Sequence, residues 1–232
     1  MFQGFSKETS EFLWELSFHN ERPWFLEHKE QFERVLNGPF QELTRCTGAL
    51  LQQRCPYMEV RTHASRIYRD ARRLFGRGPY KDHLWSTFKD GANYSERPMF
   101  WFEISAATYS YGLGFFDVTP AEMAYFRKSI DAEPARFERL AALVLEQPHA
   151  KVIGPTYARP KGSYDEPIRS WYERKRVGVE IERDLEGEAF TERLPQILVD
   201  CFEAWMPMYE FLLQVHRGAG REGLAATIER SR

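Results

Sequence analysis

Residues 99–105, M-F-W-F-E-I-S, constrain the fold most, because their side chains alternate in character along the chain. Successive side chains of a β-strand point to opposite faces of a sheet. The pattern therefore predicts a strand, and its two faces carry Phe100, Phe102 and Ile104 on one side and Trp101, Glu103 and Ser105 on the other. A second strand is predicted over residues 108–118, more weakly near Gly112 and Gly114, since glycine weakens a strand interior.

Helical patterns precede these strands. Residues 6–19 place apolar side chains on one helical face, and Pro23 suits the first turn of a second helix. Asn37-Gly38-Pro39 is expected to end that helix and to begin a third, which Pro56 stops. We therefore predict three antiparallel helices joined by short turns.

Helical patterns also follow the strands. Thr119-Pro120-Ala121-Glu122 has the residues of a capping box, with proline in the first turn. Another helix should begin at Glu133-Pro134, and a last long helix should cover roughly residues 187–216, with a kink or break at Pro207. Residues 150–166 are rich in proline, glycine and charge and are predicted to form a loop.

The remaining strands are predicted over Val60–Asp70 and residues 177–181. Together these patterns predict a single α+β domain over residues 1–217: an N-terminal three-helix segment, a central, mainly antiparallel sheet, and C-terminal helices packed on the sheet. Residues 218–232 are expected to form a flexible or loosely attached tail. Four tryptophans are expected to fill the core: Trp14, Trp24, Trp101 and Trp205.

The composition excludes several classes of protein. An aromatic share of 15% argues against a disordered chain, and no apolar run reaches the ~18 residues of a membrane span. The first residues lack the pattern of a signal peptide, and three cysteines without a C-x-x-C pair fit a reducing compartment. We therefore expect a cytoplasmic protein with no membrane partner. No metal-ligand spacing or nucleotide-cofactor motif is present in the sequence, so we expect neither a metal nor a cofactor.

The most unusual segment is residues 61–81, in which seven basic residues accompany one acid, giving a local net charge of +6. In an extended segment Arg66, Tyr68 and Asp70 would point the same way. The turn Gly76-Arg77-Gly78-Pro79 should then return the chain towards the arginines. Arginine forks match the oxygens of phosphate and carboxylate groups. The predicted ligand-binding residues are Arg66, Tyr68, Arg69, Asp70, Arg72, Tyr80, Lys81 and, from the capped helix, Arg127.

Each of these residues also has a structural interpretation. The arginine segment could be a network of arginine, aspartate and tyrosine that ties a strand to its loop, and Arg127 could be a surface residue. Asp70, Glu103 and His83 are the candidates for proton transfer. Glu103 could instead be a cross-strand ion-pair partner. The sequence leaves open whether the protein is an enzyme.

A second basic cluster has aromatic residues interleaved with its cations. It comprises Arg159, Lys161, Arg169, Arg174, Lys175 and Arg176, with Tyr157, Tyr164, Trp171 and Tyr172 between them. Such a surface is typical of single-stranded nucleic-acid binding, where bases stack on aromatic rings. An ordinary solvated face is the alternative, and the overall net charge of −2 disfavours nucleic acid.

These motifs together resemble the bacterial and fungal family called domain of unknown function 2461, over roughly residues 4–216. The resemblance is carried by Asn20 with Trp24-Phe25, Arg66-Ile67-Tyr68-Arg69-Asp70, Pro79-Tyr80-Lys81, Gly114 with Arg127 and Ile130, and Arg159-Pro160-Lys161-Gly162. The family pattern has Arg-Phe-Ser and an Asp-Lys pair where this chain has Arg72-Arg73-Leu74 and Gly76-Arg77. The resemblance supports the choice of residues and implies no particular reaction.

Three hypotheses follow from the sequence. In the first, the chain binds a small phosphate- or carboxylate-bearing ligand in an arginine, tyrosine and lysine cleft, either as an enzyme or as a binding protein. Alternatively, it is a nucleic-acid-associated module that uses both basic segments. In the third hypothesis it is a structural or interaction protein whose arginines only brace the fold. The sequence does not indicate an oligomeric state.

Overall fold

The computed structural model describes residues 1–70, 72, 76–91 and 98–230, with side chains in the last stretch described up to residue 222. The α-helices are α1 (Lys7–Phe18), α2 (Arg22–Glu27), α3 (Lys29–Phe32), α4 (Gly38–Arg54), α5 (Pro120–Ala132), α6 (Pro134–Leu145), α7 (Ile168–Tyr172), α8 (Leu194–Ala204) and α9 (Met206–Arg230). The strands are β1 (Val60–Ala64), β2 (His83–Asp90), β3 (Met99–Ser105), β4 (Thr108–Phe115), β5 (Lys151–Ile153) and β6 (Val177–Asp184).

The strands form one six-stranded sheet in the spatial order β1-β2-β3-β4-β6-β5. Strand β1 runs antiparallel to β2, and β5 runs antiparallel to β6. The predicted α+β class is confirmed, and strand β3 has the predicted bounds. The helices of the described residues lack an apolar stretch of the length that a membrane span requires.

The chain is organised into two compact units. The first comprises Met1–Gly91, Trp101–Tyr111 and Glu182–Asp200, and the second comprises Ala92–Phe100, Gly112–Ile181 and Cys201–Arg232.

In the first unit, helices α1 and α4 bury the apolar faces that their sequence pattern predicts. The fully buried side chains include Phe12, Leu16, Phe40, Leu51, Phe88 and Phe102. Strand β1 pairs with β2 from Val60 opposite Asp90 to Ala64 opposite Ser86. The prediction of a buried Trp14 is wrong: this side chain lies outside the buried face of α1, is 49% exposed and stacks on the exposed Phe18.

Helix α4 begins at Gly38 as predicted, but no turn separates it from the preceding helix, because the helical path continues from α3 into α4. A π-helical segment, Glu33–Asn37, directly precedes Gly38. Proline has no N–H, so Pro39 cannot donate the usual helical hydrogen bond to the carbonyl of Val35. The buried hydroxyl of Thr9 in α1 donates to that carbonyl instead, at 2.7 Å. The Val35 carbonyl thus accepts a hydrogen bond from Thr9 in place of the one that Pro39 cannot donate.

The strand predicted over Val60–Asp70 ends at Ala64. Continuing the register of β1 and β2 would place Tyr68 opposite Asp82, but Tyr68 instead pairs with Tyr80. This two-residue shift in register interrupts the regular pairing, and only an isolated bridge follows. Strand β2 was not predicted, because its consecutive buried residues from Ser86 to Lys89 lack simple alternation.

In the second unit, the Thr119 capping box forms as predicted: Thr119 and Glu122 exchange hydrogen bonds between side chain and main chain. The core is aromatic, and Phe137 lies 5.6 Å from Phe126, 5.2 Å from Phe211 and 5.9 Å from Trp171 between ring centroids. The predicted loop over residues 150–166 contains the short strand β5, a correction that follows from its pairing with β6.

The last predicted helix is three elements: a 3₁₀ turn, Gly187–Phe190, then α8 and α9. The break between α8 and α9 falls at Trp205, two residues before Pro207, as the proline predicts. Helix α9 continues to Arg230, so the segment beyond Gly218 is helical up to that residue. Its loose attachment stays a prediction.

Candidate functional site

The segment after β1 and the segment before β2 lie side by side, which brings the basic residues of this region together. The main-chain N–H of Arg69 donates to the Pro79 carbonyl at 2.8 Å, and that of Lys81 donates to the Ile67 carbonyl at 2.7 Å. Ile67 is buried, whereas its neighbours Arg66 and Tyr68 are exposed. The turn therefore returns the chain to the arginines.

Asn20 holds the returning segment. Its side-chain amide donates to the Tyr80 carbonyl at 3.0 Å, and its side-chain oxygen accepts from the Tyr80 N–H at 2.9 Å. A Cβ atom on Gly78 would lie only 2.3 Å from the Asn20 Oδ1 atom, so the glycine is required for this close approach. The sequence pattern includes Asn20 in the family resemblance but does not reveal this contact, because sixty residues separate it from Tyr80.

The structure places Tyr80 in the core of the first unit. Its side chain is 2% exposed, and its ring stacks on Phe25 with 4.1 Å between centroids. Burial first, and then the neighbouring Tyr68, raise the pKa of Tyr80 above its ordinary value, while Arg22 acts in the opposite direction. Tyr80 therefore anchors the segment by packing. The Tyr68 ring contacts Phe25 and Tyr80 and remains 53% exposed.

Arg69 braces the same segment. Its Nε atom donates to the Tyr80 carbonyl at 2.7 Å, and its Nη2 atom lies 3.4 Å from Asp82 Oδ1. The side chain is only 12% exposed. The Arg69 guanidinium is thus largely buried and already bonded to groups of the protein.

Asp70 and Arg72 form a local pair. The Arg72 guanidinium donates from Nε and Nη2 to the two carboxylate oxygens of Asp70 at 3.0 and 2.7 Å, and the Arg72 N–H donates to Asp70 Oδ1 at 3.0 Å. These hydrogen bonds raise the pKa of Arg72. Arg72 is therefore one partner of Asp70, while the Tyr80 carbonyl positions Arg69. Arg73, which contributes to the local charge, lies outside the described residues.

Among the described residues, Arg66 and Lys81 are two cations of this segment that form no ion pair with an acid. The Lys81 ammonium donates to the Arg66 carbonyl at 2.6 Å and lies 5.8 Å from the centroid of the Trp85 ring. Burial and the charge of Arg69 lower the pKa of Lys81. Across the part of the chain that the structure describes, the Arg66 guanidinium makes no hydrogen bond or ion pair, and its side chain is exposed.

The pKa of His63 on β1 is affected by the positive charges of this region. Burial first, and then the charges of Lys81, Lys89 and Arg66, lower the pKa of His63. His63 is not among the predicted ligand-binding residues. Its position in β1, three residues before Arg66, is the signal that could have identified it.

The three candidates for proton transfer lie in different settings. His83 Nδ1 is 2.8 Å from Asp82 Oδ1. Burial acts to raise the pKa of Asp82, but its hydrogen bonds and the charges of His83 and Arg69 bring the net pKa below the usual value. Glu103 is half-buried on β3, and Asp70 is held by Arg72.

Arg127 belongs to the second unit, where it is turned inward. Its guanidinium donates to the main-chain carbonyls of Met123, Tyr172 and Arg174 at 2.8, 3.1 and 2.9 Å. The alternative of a surface residue is therefore wrong, and the contacts of Arg127 are those of a brace within its own unit. Among the residues with described side chains, no group of three His, Cys, Asp or Glu could hold a metal ion.

Residues 8–211 match the family described as conserved hypothetical protein DUF2461. The chain belongs to this family. The match confirms the predicted DUF2461 resemblance and spans the arginine segment as well as the second basic cluster. No curated protein matches the chain.

Proposed function

We propose that this DUF2461 protein binds a small phosphate- or carboxylate-bearing anion at Arg66 and Lys81. The observation that carries the proposal is that the exposed Arg66 guanidinium makes no hydrogen bond or ion pair among the described residues, while Lys81 is fixed beside its carbonyl. An arginine fork can then bind an anion without first breaking an internal bond.

The electrostatics support the same proposal. The pKa values of Lys81 and His63 are both lowered, in part by neighbouring positive charge. Each lowered value means that the protein environment disfavours the protonated form. A bound anion would offset the repulsion between these cations, so its binding would be coupled to protonation of His63. Arg66 would supply the bidentate contact, and Lys81 the second positive charge.

The test is a titration of His63 followed by NMR, with its resonance assigned through the His63→Gln variant. Inorganic phosphate or succinate should raise the pKa of His63 in the wild-type protein. In Arg66→Ala the pKa should start higher, because a cation is gone, and the anion should have little further effect. Arg45→Ala is the matched control, since Arg45 is an exposed arginine already bonded to Glu42. The proposal would be refuted if neither anion changed the pKa of His63 in the wild-type protein.

The structural hypothesis has its own supporting observation, because Arg69 and Arg127 donate to main-chain carbonyls. Under that hypothesis Arg66→Ala changes no binding property. The nucleic-acid hypothesis requires both basic segments and predicts binding that weakens steeply with salt through counterion release. If the wild-type protein retains nucleic acid at low salt and Arg66→Ala does not, the nucleic-acid hypothesis is favoured over binding of a small anion.

For a reaction at this site, His83, Asp70 and Glu103 are the predicted candidates for proton transfer. The His83–Asp82 contact could orient the imidazole of His83. The proposal itself is one of binding, and its test does not depend on an enzymatic activity.

A further inference from the structure

We propose that a surface hollow in the second unit, beside Tyr157, binds a nucleotide unit, with the base against tyrosine rings and the phosphate at lysine side chains. This inference is independent of the Arg66 site, because its residues all lie between 127 and 175 in the second unit. The hollow has a volume of about 440 Å³, within the ~300–1,000 Å³ that is usual for small-ligand sites.

Tyr157 lines the hollow, and three cations lie close to its ring. The Lys161 ammonium lies 4.6 Å from the centroid of the Tyr157 ring, the Lys175 ammonium 5.7 Å, and the Arg127 guanidinium 5.0 Å. Lys161 and Lys175 are exposed, whereas Arg127 is tied to main-chain carbonyls. The two lysines can therefore move from the ring to a phosphate while Arg127 continues to support the ring.

The second aromatic wall is fixed by a shared carboxylate. Tyr164 and Tyr172 both donate their hydroxyls to Asp131, at 2.9 and 3.1 Å. Burial first, and then the hydrogen bond to Asp131, raise the pKa of Tyr172 to about 12. Tyr164 lines the hollow, and its ring lies 5.1 Å from that of Tyr172. A held ring is a good stacking surface because little side-chain freedom is lost on binding.

The turn that carries Lys161 is also fixed. The main-chain N–H groups of Lys161 and Gly162 donate to the Glu173 carboxylate at 2.8 to 3.2 Å. A Cβ atom on Gly162 would lie 2.8 Å from the Tyr172 ring, so the turn packs closely against that tyrosine. The main chain at Lys161 is thus held in place, while its exposed side chain lies over the Tyr157 ring.

The hollow contains acids as well as cations, and this mixture favours a nucleotide over a simple anion. Asp165, Glu173 and Ser163 line it together with Arg169, whose Nε atom donates to Glu166 at 3.0 Å. Carboxylate and hydroxyl oxygens can accept hydrogen bonds from the amino groups of a base, and aromatic rings stack on any base. A cationic ligand is disfavoured, because three cations already contact Tyr157.

The test uses calorimetric titration with adenosine 5′-monophosphate, adenosine, inorganic phosphate and a single-stranded oligoadenylate, all in an Arg66→Ala background so that the first site cannot contribute. Tyr157→Leu should weaken binding of the nucleotide about tenfold or more, since a base loses its stacking partner. Tyr157→Phe keeps the ring and should bind nearly as well. Lys161→Ala should weaken binding of the monophosphate and leave binding of adenosine unchanged.

Two arms identify the source of the nucleotide. If the oligoadenylate binds more tightly than the monophosphate, in a salt-sensitive way that Tyr157→Leu weakens, the ligand is a single strand. If the oligoadenylate and the monophosphate bind with equal affinity per nucleotide, the ligand is a free nucleotide. The inference is overturned if neither the monophosphate nor the oligoadenylate binds. It is also overturned if binding is unchanged in both Tyr157→Leu and Lys161→Ala; the exposed Lys161 gives a variant whose folding should not be affected.

Discussion

Asn20 bonds both main-chain groups of Tyr80, donating to its carbonyl and accepting from its N–H. This pair of hydrogen bonds ties the N-terminal helices to the segment that carries Lys81. The position of the proposed anion site therefore depends on a residue that is not among those proposed to bind the anion.

Asn20→Ala should destabilise the protein by about 1–3 kcal/mol, because two part-buried main-chain groups each lose a partner. Urea denaturation measures this change. Asn37→Ala is the matched control, since the Asn37 amide bonds the exposed Glu33 carboxylate and its loss should cost little. Equal stability of the two variants would show that Asn20 does not hold the segment.

Gly78→Ala should also destabilise the first unit, because the added Cβ would lie 2.3 Å from Asn20 Oδ1 and 2.5 Å from the Asn20 carbonyl oxygen. Thermal unfolding should show a lower midpoint and, at the same time, weaker phosphate binding. Gly220→Ala is the control: nothing lies within 4 Å of its added Cβ, and alanine is favoured by ~0.5–1 kcal/mol over glycine inside a helix. A midpoint that does not fall in Gly78→Ala contradicts the proposed close approach.

Thr9→Val should cost about 1–3 kcal/mol of stability, because the Val35 carbonyl loses its hydroxyl donor in a buried setting. The substitution also removes the acceptor of the Ser6 N–H. Thr191→Val provides the comparison, since its hydroxyl donates to the Glu188 carbonyl at the surface. We expect urea denaturation to separate the two variants clearly; similar small effects would mean that the helix near Pro39 does not need Thr9.

Arg66 and Arg69 should respond in opposite ways to alanine substitution. Arg69→Ala removes a brace that is 12% exposed and should destabilise the fold by about 1–3 kcal/mol. Arg66→Ala should change stability by no more than ~0.5 kcal/mol, as is usual for surface substitutions, and should abolish phosphate binding. Chemical denaturation and calorimetric titration of the same two variants give the comparison. A large loss of stability in Arg66→Ala would favour the structural hypothesis.

The pKa shift of His63 predicts a pH dependence of stability. Because the folded protein lowers the pKa of His63, the unfolded chain binds the proton more readily than the folded one. The His63 contribution is thus fully present above the unfolded pKa of about 6.5 and is lost as the pH falls through the folded pKa. As the pH falls through this range, the free energy of unfolding should decrease less in His63→Gln than in the wild-type protein. The same slope in both proteins would show that His63 is not responsible.

Several elements could be predicted because the decisive contacts are local. The alternation in Met99–Ser105 predicts β3 with its observed bounds, and the Thr119 capping box and Pro207 locate the start of α5 and the break before α9. In each case neighbouring residues supply the groups that form or interrupt the element. For the candidate site, the pattern correctly predicts that the glycine turn returns the chain to the arginines.

The remaining features depend on partners that are distant in sequence. Local patterns cannot show that Thr9 donates to Val35, that Asn20 meets Tyr80, or that the register after Ala64 shifts by two residues. The same holds for the arginines, which look alike in the sequence. Tertiary packing brings Arg69 to a main-chain carbonyl and leaves Arg66 exposed, because hydrogen bonding depends on which groups the folded chain places within about 3 Å of each other.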